Sequence, residues 1–140
     1  MRVALDAMGG DHAPGPIVDG AVHAVRDFPG LTVALVGIRD QIEAELARHG
    51  DIPAERLPIV HASEVIGMQE KPVEALRKKR DNSISKCWGL LATGEASAIV
   101  SAGSTGAMVA SALFHAKMFL PGVRRPGIAV VFPSRKGPVV

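Results

Sequence analysis

The sequence predicts a three-layer α/β/α fold around a mainly parallel sheet, and three observations carry that prediction. Short apolar runs recur at Arg2 to Leu5, Thr32 to Val36, Leu57 to His61, Ala98 to Val100 and Ile128 to Phe132. Each has the length and continuity of a strand buried on both faces. Between them lie segments whose apolar residues repeat at helical spacing, and strands alternating with helices imply a parallel sheet with helices on both sides. Finally, glycine-rich loops follow the first and fourth runs, at Asp6 to Gly15 and at Ser101 to Gly106. In such sheets ligands bind beyond the carboxyl ends of the strands, so both loops are expected to face one crevice.

The elements follow in order. After the strand Arg2 to Leu5 and its loop, a helix opens with Pro16, a residue that loses no bond at the first helical position. Ile17, Ala21, Ala24, Val25 and Phe28 form its apolar stripe, and Pro29-Gly30 stops it. The strand Thr32 to Val36 leads through Gly37 to a helix with Ile42 and Leu46 inward, ending at Gly50. In Leu57 to His61, Pro58 removes a ladder donor, which favours an edge position or a later start. Ser63 to Lys71 is polar and irregular, and Pro72 to Arg80 suits a short helix with a basic end. Asp81, Asn82 or Ser83 can cap the next helix, which carries Ile84, Cys87, Trp88 and Leu91 and stops at Gly94.

Ala98 to Val100 is expected as the central strand, and Thr105 onward as a helix apolar on nearly every side as far as Phe119. Gly103 and Gly106 allow a sharp turn and close approach to a ligand, while the first free N–H groups of the helix point into that turn. An anion fits there, favoured by about 0.3 to 1 kcal/mol at an exposed helix start, and Ser104 and Thr105 add hydroxyl donors. The same residues equally suit a plain helix cap. Leu120 to Gly127 is a Pro/Gly/Arg loop, and Pro133 to Gly137 turns into Pro138-Val139-Val140. Because the chain stops inside an apolar run, it is expected to be the front part of a longer protein.

Composition narrows the function. The 140 residues suit one domain, and 47% hydrophobic with 21% charged is ordinary for a soluble chain. A net charge of +2 and 4% aromatic residues argue against nucleic acid. The single Cys87 cannot form an internal disulfide, and Met1 to Asp6 enters a strand with no signal-peptide core, which points to the cytoplasm. No apolar run approaches the roughly eighteen residues of a membrane span, which leaves surface association open. Gly103-Ser104-Thr105-Gly106 is not a dinucleotide fingerprint, and Gly10 to Gly15 has Walker-like spacing but is followed by Pro16 rather than Lys, so the grounds for NAD or ATP are weak.

Ala4-Leu5-Asp6-Ala7-Met8-Gly9-Gly10-Asp11-His12-Ala13-Pro14 resembles the N-terminal signature of the bacterial phosphate acyltransferases of phospholipid synthesis. Ser101-Ala102-Gly103-Ser104-Thr105-Gly106-Ala107 is similar to their second motif, and Arg125-Pro126 to the turn that follows. The likeness covers the whole chain. Ser104 departs from the pattern, which more often carries Asn there, and members continue beyond Val140 into a further half. The resemblance implies residues 1–140 as the N-terminal portion of a single α/β catalytic domain, with a fold similar to the phosphotransacetylases. It implies transfer of a fatty acyl group from acyl-carrier protein to inorganic phosphate, in a cytosolic homodimer that touches the membrane surface. Phosphate enters as substrate, and no cofactor is expected.

Such a reaction needs phosphate beside a thioester carbonyl and donors for the oxyanion. Phosphate is already nucleophilic at neutral pH, so positioning matters most and can supply about 7 to 11 kcal/mol. Phosphate is assigned to Ser101, Gly103, Ser104, Thr105 and Gly106, and oxyanion or thiolate stabilisation to Gly9 and Gly10, where one lost donor costs about 2.7 to 4 kcal/mol. His12 beside Asp11 could protonate the leaving thiolate. Alternatively both fix the loop, Asp11 bonding backbone amides as turn aspartates do. Asp6 is open to the same two readings. Arg77, Lys78, Lys79 and Arg80 suit docking of an acidic carrier or a solvated helix face, and Arg124, Arg125 and Lys71 are further anion candidates. Cys87 reads as core. His23, His49, His61 and His115 lack metal-ligand spacing, and no metal is expected. Coenzyme A as the acyl carrier, or a chain that folds or dimerises without catalysing, are the alternatives.

Overall fold

A computed structural model describes residues 1–115 together with 128 and 129. Among the described residues four strands, β1 (Arg2–Asp6), β2 (Thr32–Gly37), β3 (Ile59–His61) and β4 (Ala98–Val100), form a parallel sheet in the order β3-β2-β1-β4. The helices among the described residues that connect or follow them are α1 (Gly15–Asp27), α2 (Arg39–Leu46), α3 (Pro72–Lys78), α4 (Ser83–Ala92) and α5 (Thr105–His115). A 3₁₀ turn, Ala54–Arg56, precedes β3.

Alternation along the strands decides the layers. Leu5, Val33 and Leu35 face one side, where they pack with Val18, Val22 and Val25 of α1 and Ile42 of α2. Ala4, Ala34 and Val36 face the other, against Cys87 and Leu90 of α4. The alanines let α4 lie close to the sheet, while α3, α4 and α5 share a separate apolar cluster around Ile84, Leu76 and Ala107. The three-layer parallel architecture expected from the sequence is therefore present.

Several boundaries and faces differ from expectation for local reasons. The buried stripe of α1 is Val18, Ala21, Val22 and Val25; Ile17 and Ala24 are half-buried, and Phe28 is 63% exposed because the helix ends at Asp27 and Phe28 turns to an extended conformation. The second helix stops at Leu46 rather than near Gly50, and in α4 Leu90 rather than Leu91 is buried. Asn82 is the cap of α4: its Oδ1 accepts from Ser85 N at 2.8 Å, and its Nδ2 donates to the Lys79 carbonyl at 2.6 Å. Gly94, at φ 76°, supplies the left-handed residue that ends the helix.

Pro58 lies before β3, which begins at Ile59 and among the described residues pairs only with β2, yet the Pro58 carbonyl still accepts from Leu35 N at 2.9 Å. Among the described residues β4 pairs only with β1 and ends the order; the expectation that Ala98 to Val100 is central turns on the strand expected at Ile128 to Phe132, which apart from residues 128 and 129 lies outside the described residues. The expected strand Ile128 to Phe132, apart from residues 128 and 129, and the loop Leu120 to Gly127 lie outside the described residues. Among the described residues, no helix is long and apolar enough to cross a membrane.

The polar segment after β3 is fastened to the α3–α4 connection. Ser63 donates from N and Oγ to Asp81 Oδ2 at 2.9 and 2.7 Å, and Gly67 N donates to Glu70 Oε1 at 2.7 Å. Hydrogen bonds from Lys86 and then Ser63 hold the Asp81 carboxyl well below the usual carboxylate range, and those from Lys79 and then the Gly67 amide lower the Glu70 carboxyl from its ordinary value. A depressed folded pKa contributes stability that is present above the unfolded value and is lost as the pH falls through the folded one. The amide resonances of Ser63 and Gly67 are therefore expected to titrate with midpoints below the ordinary carboxylate value of the acid each one bonds. Midpoints at or above that value would show that neither acid is held.

Candidate active site

Parallel pairing of β1 with β4, with Leu5 opposite Val100, places the loops after these strands side by side at one edge of the sheet. Asp6, the last residue of β1, is 2% exposed and its carboxylate is fully engaged. Oδ1 accepts from Met8 N at 3.2 Å, and Oδ2 accepts from Ser101 Oγ at 2.7 Å. Ser101 Oγ in turn accepts from Gly103 N at 3.0 Å. One buried acid thus ties the first loop to the second through a single hydroxyl.

Glycine makes this contact possible. A Cβ at Gly9 would stand 2.8 Å from Gly103 N, 2.9 Å from Asp6 Oδ2 and 2.9 Å from Ser101 Oγ, and one at Gly103 would stand 3.3 Å from Gly9 Cα. The two backbones touch where any side chain would separate them. Gly10 follows at φ 99°, in the left-handed region that favours glycine, against Ala102. Met8 is buried over Gly37, where a Cβ would meet its Cγ at 2.6 Å, so the first loop is also seated on the end of β2.

At the start of α5, Ser104 is 8% exposed and its Oγ accepts from Ala107 N at 3.3 Å. The capping role is therefore realised by Ser104, which removes one amide from the set that could hold an anion. Gly103 N is likewise taken by Ser101 Oγ. The amides of Thr105 and Gly106, at exposed positions, have no hydrogen-bond partner among the described residues, as the geometry of a helix start requires. Gly106 also receives α3: a Cβ there would stand 2.8 Å from Pro72 Cγ, so the starts of α3 and α5 abut.

The structure separates the other sequence-predicted residues. Asp11 and His12 are both exposed in the turn beyond Gly10, and neither side chain has a hydrogen-bond partner among the described residues. Of the two aspartates that could fix the loop, Asp6 does so by accepting from Met8 N, whereas Asp11 accepts from no backbone amide among the described residues. Of the basic cluster, Arg77, Lys78 and Arg80 are exposed, whereas Lys79 turns inward, its Nζ donating to Glu70 Oε1 at 2.5 Å and to the Val65 carbonyl at 2.6 Å. Lys79 is thereby withdrawn from the basic face. Arg124 and Arg125 lie outside the described residues, as does the side chain of His115. His49 pairs with Asp19 at 2.8 Å, and His61 Nδ1 accepts from Arg39 N at 3.3 Å. Among the described residues no group of three potential metal ligands gathers. Burial, followed by the Asp6 charge, pushes the Cys87 thiol far up, which suits core and not nucleophile.

Sequence reasoning missed that Ser101 is the bridge and that Pro72 closes on Gly106. The first had a signal, since a carboxylate ends one expected strand and a hydroxyl directly follows another; the second had none.

The family described as fatty acid synthesis protein matches residues 1–140. A phosphate acyltransferase of Geobacter sulfurreducens is 47% identical over 137 residues, covering 98% of this chain and 39% of the relative. Proteins of the same name from an Anaeromyxobacter species and from Desulforamulus reducens are 50% and 48% identical over 136 and 140 residues, with 37% and 41% of their lengths covered. The chain spans about two fifths of the length of these curated relatives. Matched from end to end, with the two touching glycine loops within the match, the chain belongs to the fatty acid synthesis protein family that holds these phosphate acyltransferases.

Proposed function

We propose that the intact protein transfers a fatty acyl group from acyl-carrier protein to inorganic phosphate, giving an acyl phosphate for phospholipid synthesis, and that residues 1–140 are the N-terminal portion of its single catalytic domain. The observation that carries this reading is the contact of Gly9 with Gly103 beside the two open amides of Thr105 and Gly106. Phosphate sits on those amides, where the helix dipole favours its charge. The thioester carbonyl lies against the Gly9-Gly10 backbone, whose donors meet the developing oxyanion. Asp6 and Ser101 act through the loops they join, as positioning residues. His12, exposed at the rim with its ring unengaged, protonates the departing thiolate, and Asp11 keeps the local potential negative. Arg125 adds a cation to the phosphate.

Arg77, Lys78 and Arg80 form the face that meets the acidic carrier. The protein works in the cytoplasm as a homodimer that touches the membrane surface peripherally. It needs no metal or organic cofactor, because positioning and oxyanion stabilisation supply the rate. The test is to incubate the intact protein with phosphate and either acyl-carrier protein or coenzyme A as the acyl donor and to trap acyl phosphate with hydroxylamine. Product is expected from the carrier thioester, falling tenfold or more in His12→Ala, with a KM for the carrier that rises steeply with salt and rises again in Lys78→Glu. Product from the coenzyme A thioester alone would assign the other donor, and an unchanged rate in His12→Ala would remove that residue from the chemistry.

A further inference from the structure

A groove runs away from the open amides along one side of α5. Thr105 and Gly106 form its mouth, and Val109 and Leu113, spaced four residues apart, stack behind them on the same helix face. Pro72 and Val73 of α3 and Ile128 complete the lining of this open furrow of about 390 Å³. Beyond the threonine every lining residue is glycine or apolar. Val73, Leu113 and Ile128 are nevertheless 41%, 46% and 68% exposed, so apolar side chains line a furrow open to water. From Thr105 to Leu113 the helix rises about 12 Å.

Resting on the acyl-transfer reading, we propose that this groove holds the hydrocarbon chain of the acyl group, its carbonyl at the mouth beside the phosphate on Thr105 and Gly106. One continuous feature then has a polar end matched to the head of an acyl phosphate and an apolar remainder matched to its tail. The phosphate oxygen adds to the carbonyl at the mouth, the carbon–sulfur bond breaks, and the thiolate leaves with a proton while the chain stays in place. The contact of Pro72 with Gly106 sets the width of the entrance by holding α3 against α5. Each methylene brought into such a groove tightens binding about fourfold, so the groove would make the protein selective for long chains.

The test uses the intact protein with carrier thioesters from octanoyl to palmitoyl, with binding of the fluorescent fatty acid cis-parinarate as a readout independent of turnover. KM is expected to fall with each added methylene and then to level off. Val109→Phe, which fills the middle of the groove, should raise the ratio of palmitoyl to octanoyl KM tenfold or more and weaken parinarate binding to match. Leu113→Gln, at an exposed position that folding tolerates, should flatten the far end of the profile. An unchanged chain-length profile in both variants, with acyl phosphate still formed, would overturn the groove and leave the acyl-transfer reading standing. Conversion of a dimer to monomers by both variants, with the profile unchanged, would also overturn it and assign the surface to a second copy. If no acyl donor yields acyl phosphate, the functional reading fails, and parinarate binding lost in Val109→Phe would still support an apolar-chain site.

Discussion

Gly9→Ala is expected to lower the turnover of the intact protein at least a hundredfold. The added methyl cannot be accommodated by a side-chain rotation, because one of its three close neighbours is the Gly103 backbone nitrogen at 2.8 Å. The other two are atoms of the Asp6–Ser101 hydrogen bond that joins the loops. Relief requires the second loop to move away from the first by a substantial fraction of an ångström. Overpacking of this kind costs about 1 to 3 kcal/mol of stability. The larger consequence is geometric, since a displacement near 1 Å between reacting groups can cost about a hundredfold in rate. Thermal unfolding and steady-state turnover measured on the same preparation separate the two effects. Turnover near that of the parent protein would mean that the loops do not hold phosphate and thioester against each other.

Asp6→Ala is expected to destabilise the fold by about 1 to 3 kcal/mol, the usual cost of leaving a buried hydrogen-bonding group without its partner. Met8 N loses its acceptor, and the Ser101 hydroxyl loses the oxygen that orients it towards Gly103 N. Asp6→Asn keeps the shape and one acceptor oxygen, so it should retain more of both stability and turnover than the alanine variant. That ordering distinguishes positioning from direct proton transfer. A group acting as base would lose as much activity in the amide as in the methyl, with stability preserved in the amide. Equal loss of turnover in the two variants, with Asp6→Asn as stable as the parent, would assign Asp6 to the chemistry.

Much of the fold was legible because each buried parallel strand must be apolar on both faces and each crossover helix must carry one apolar stripe. The runs at Arg2, Thr32 and Ala98 satisfy the first demand, and Asn82 and Gly94 bracket α4 through cap chemistry that is local in sequence. Pro58 announced its consequence for the same reason. Neighbour relations are less accessible. The pairing of β4 with β1 depends on which strands meet, and nothing within Ala98-Ile99-Val100 encodes it. The exposure of Phe28 depends on where α1 stops, a matter of one residue.

At the site, the glycines were legible because sharp turns and close backbone approach restrict the choice of residue. The division of labour among the polar groups was not. Asp6 and Asp11 look alike in sequence, yet only Asp6 lies where two strand ends converge, so it alone takes the loop-fixing role open to both. Lys79 reads as one of four equivalent cations until the fold brings Glu70 and the Val65 carbonyl to it. Ser104 reads as an anion ligand until Ala107 N is found on its hydroxyl.

The most direct measurement is a titration of the intact protein with inorganic phosphate, followed through its backbone amide resonances. Saturable shifts at Thr105 and Gly106, smaller ones at Gly9 and Gly10, and their loss in Gly9→Ala are the predicted result. Shifts confined to Arg77, Lys78 and Arg80, with Thr105 and Gly106 unmoved, would place the anion elsewhere and contradict the assignment of this edge of the sheet as the catalytic one.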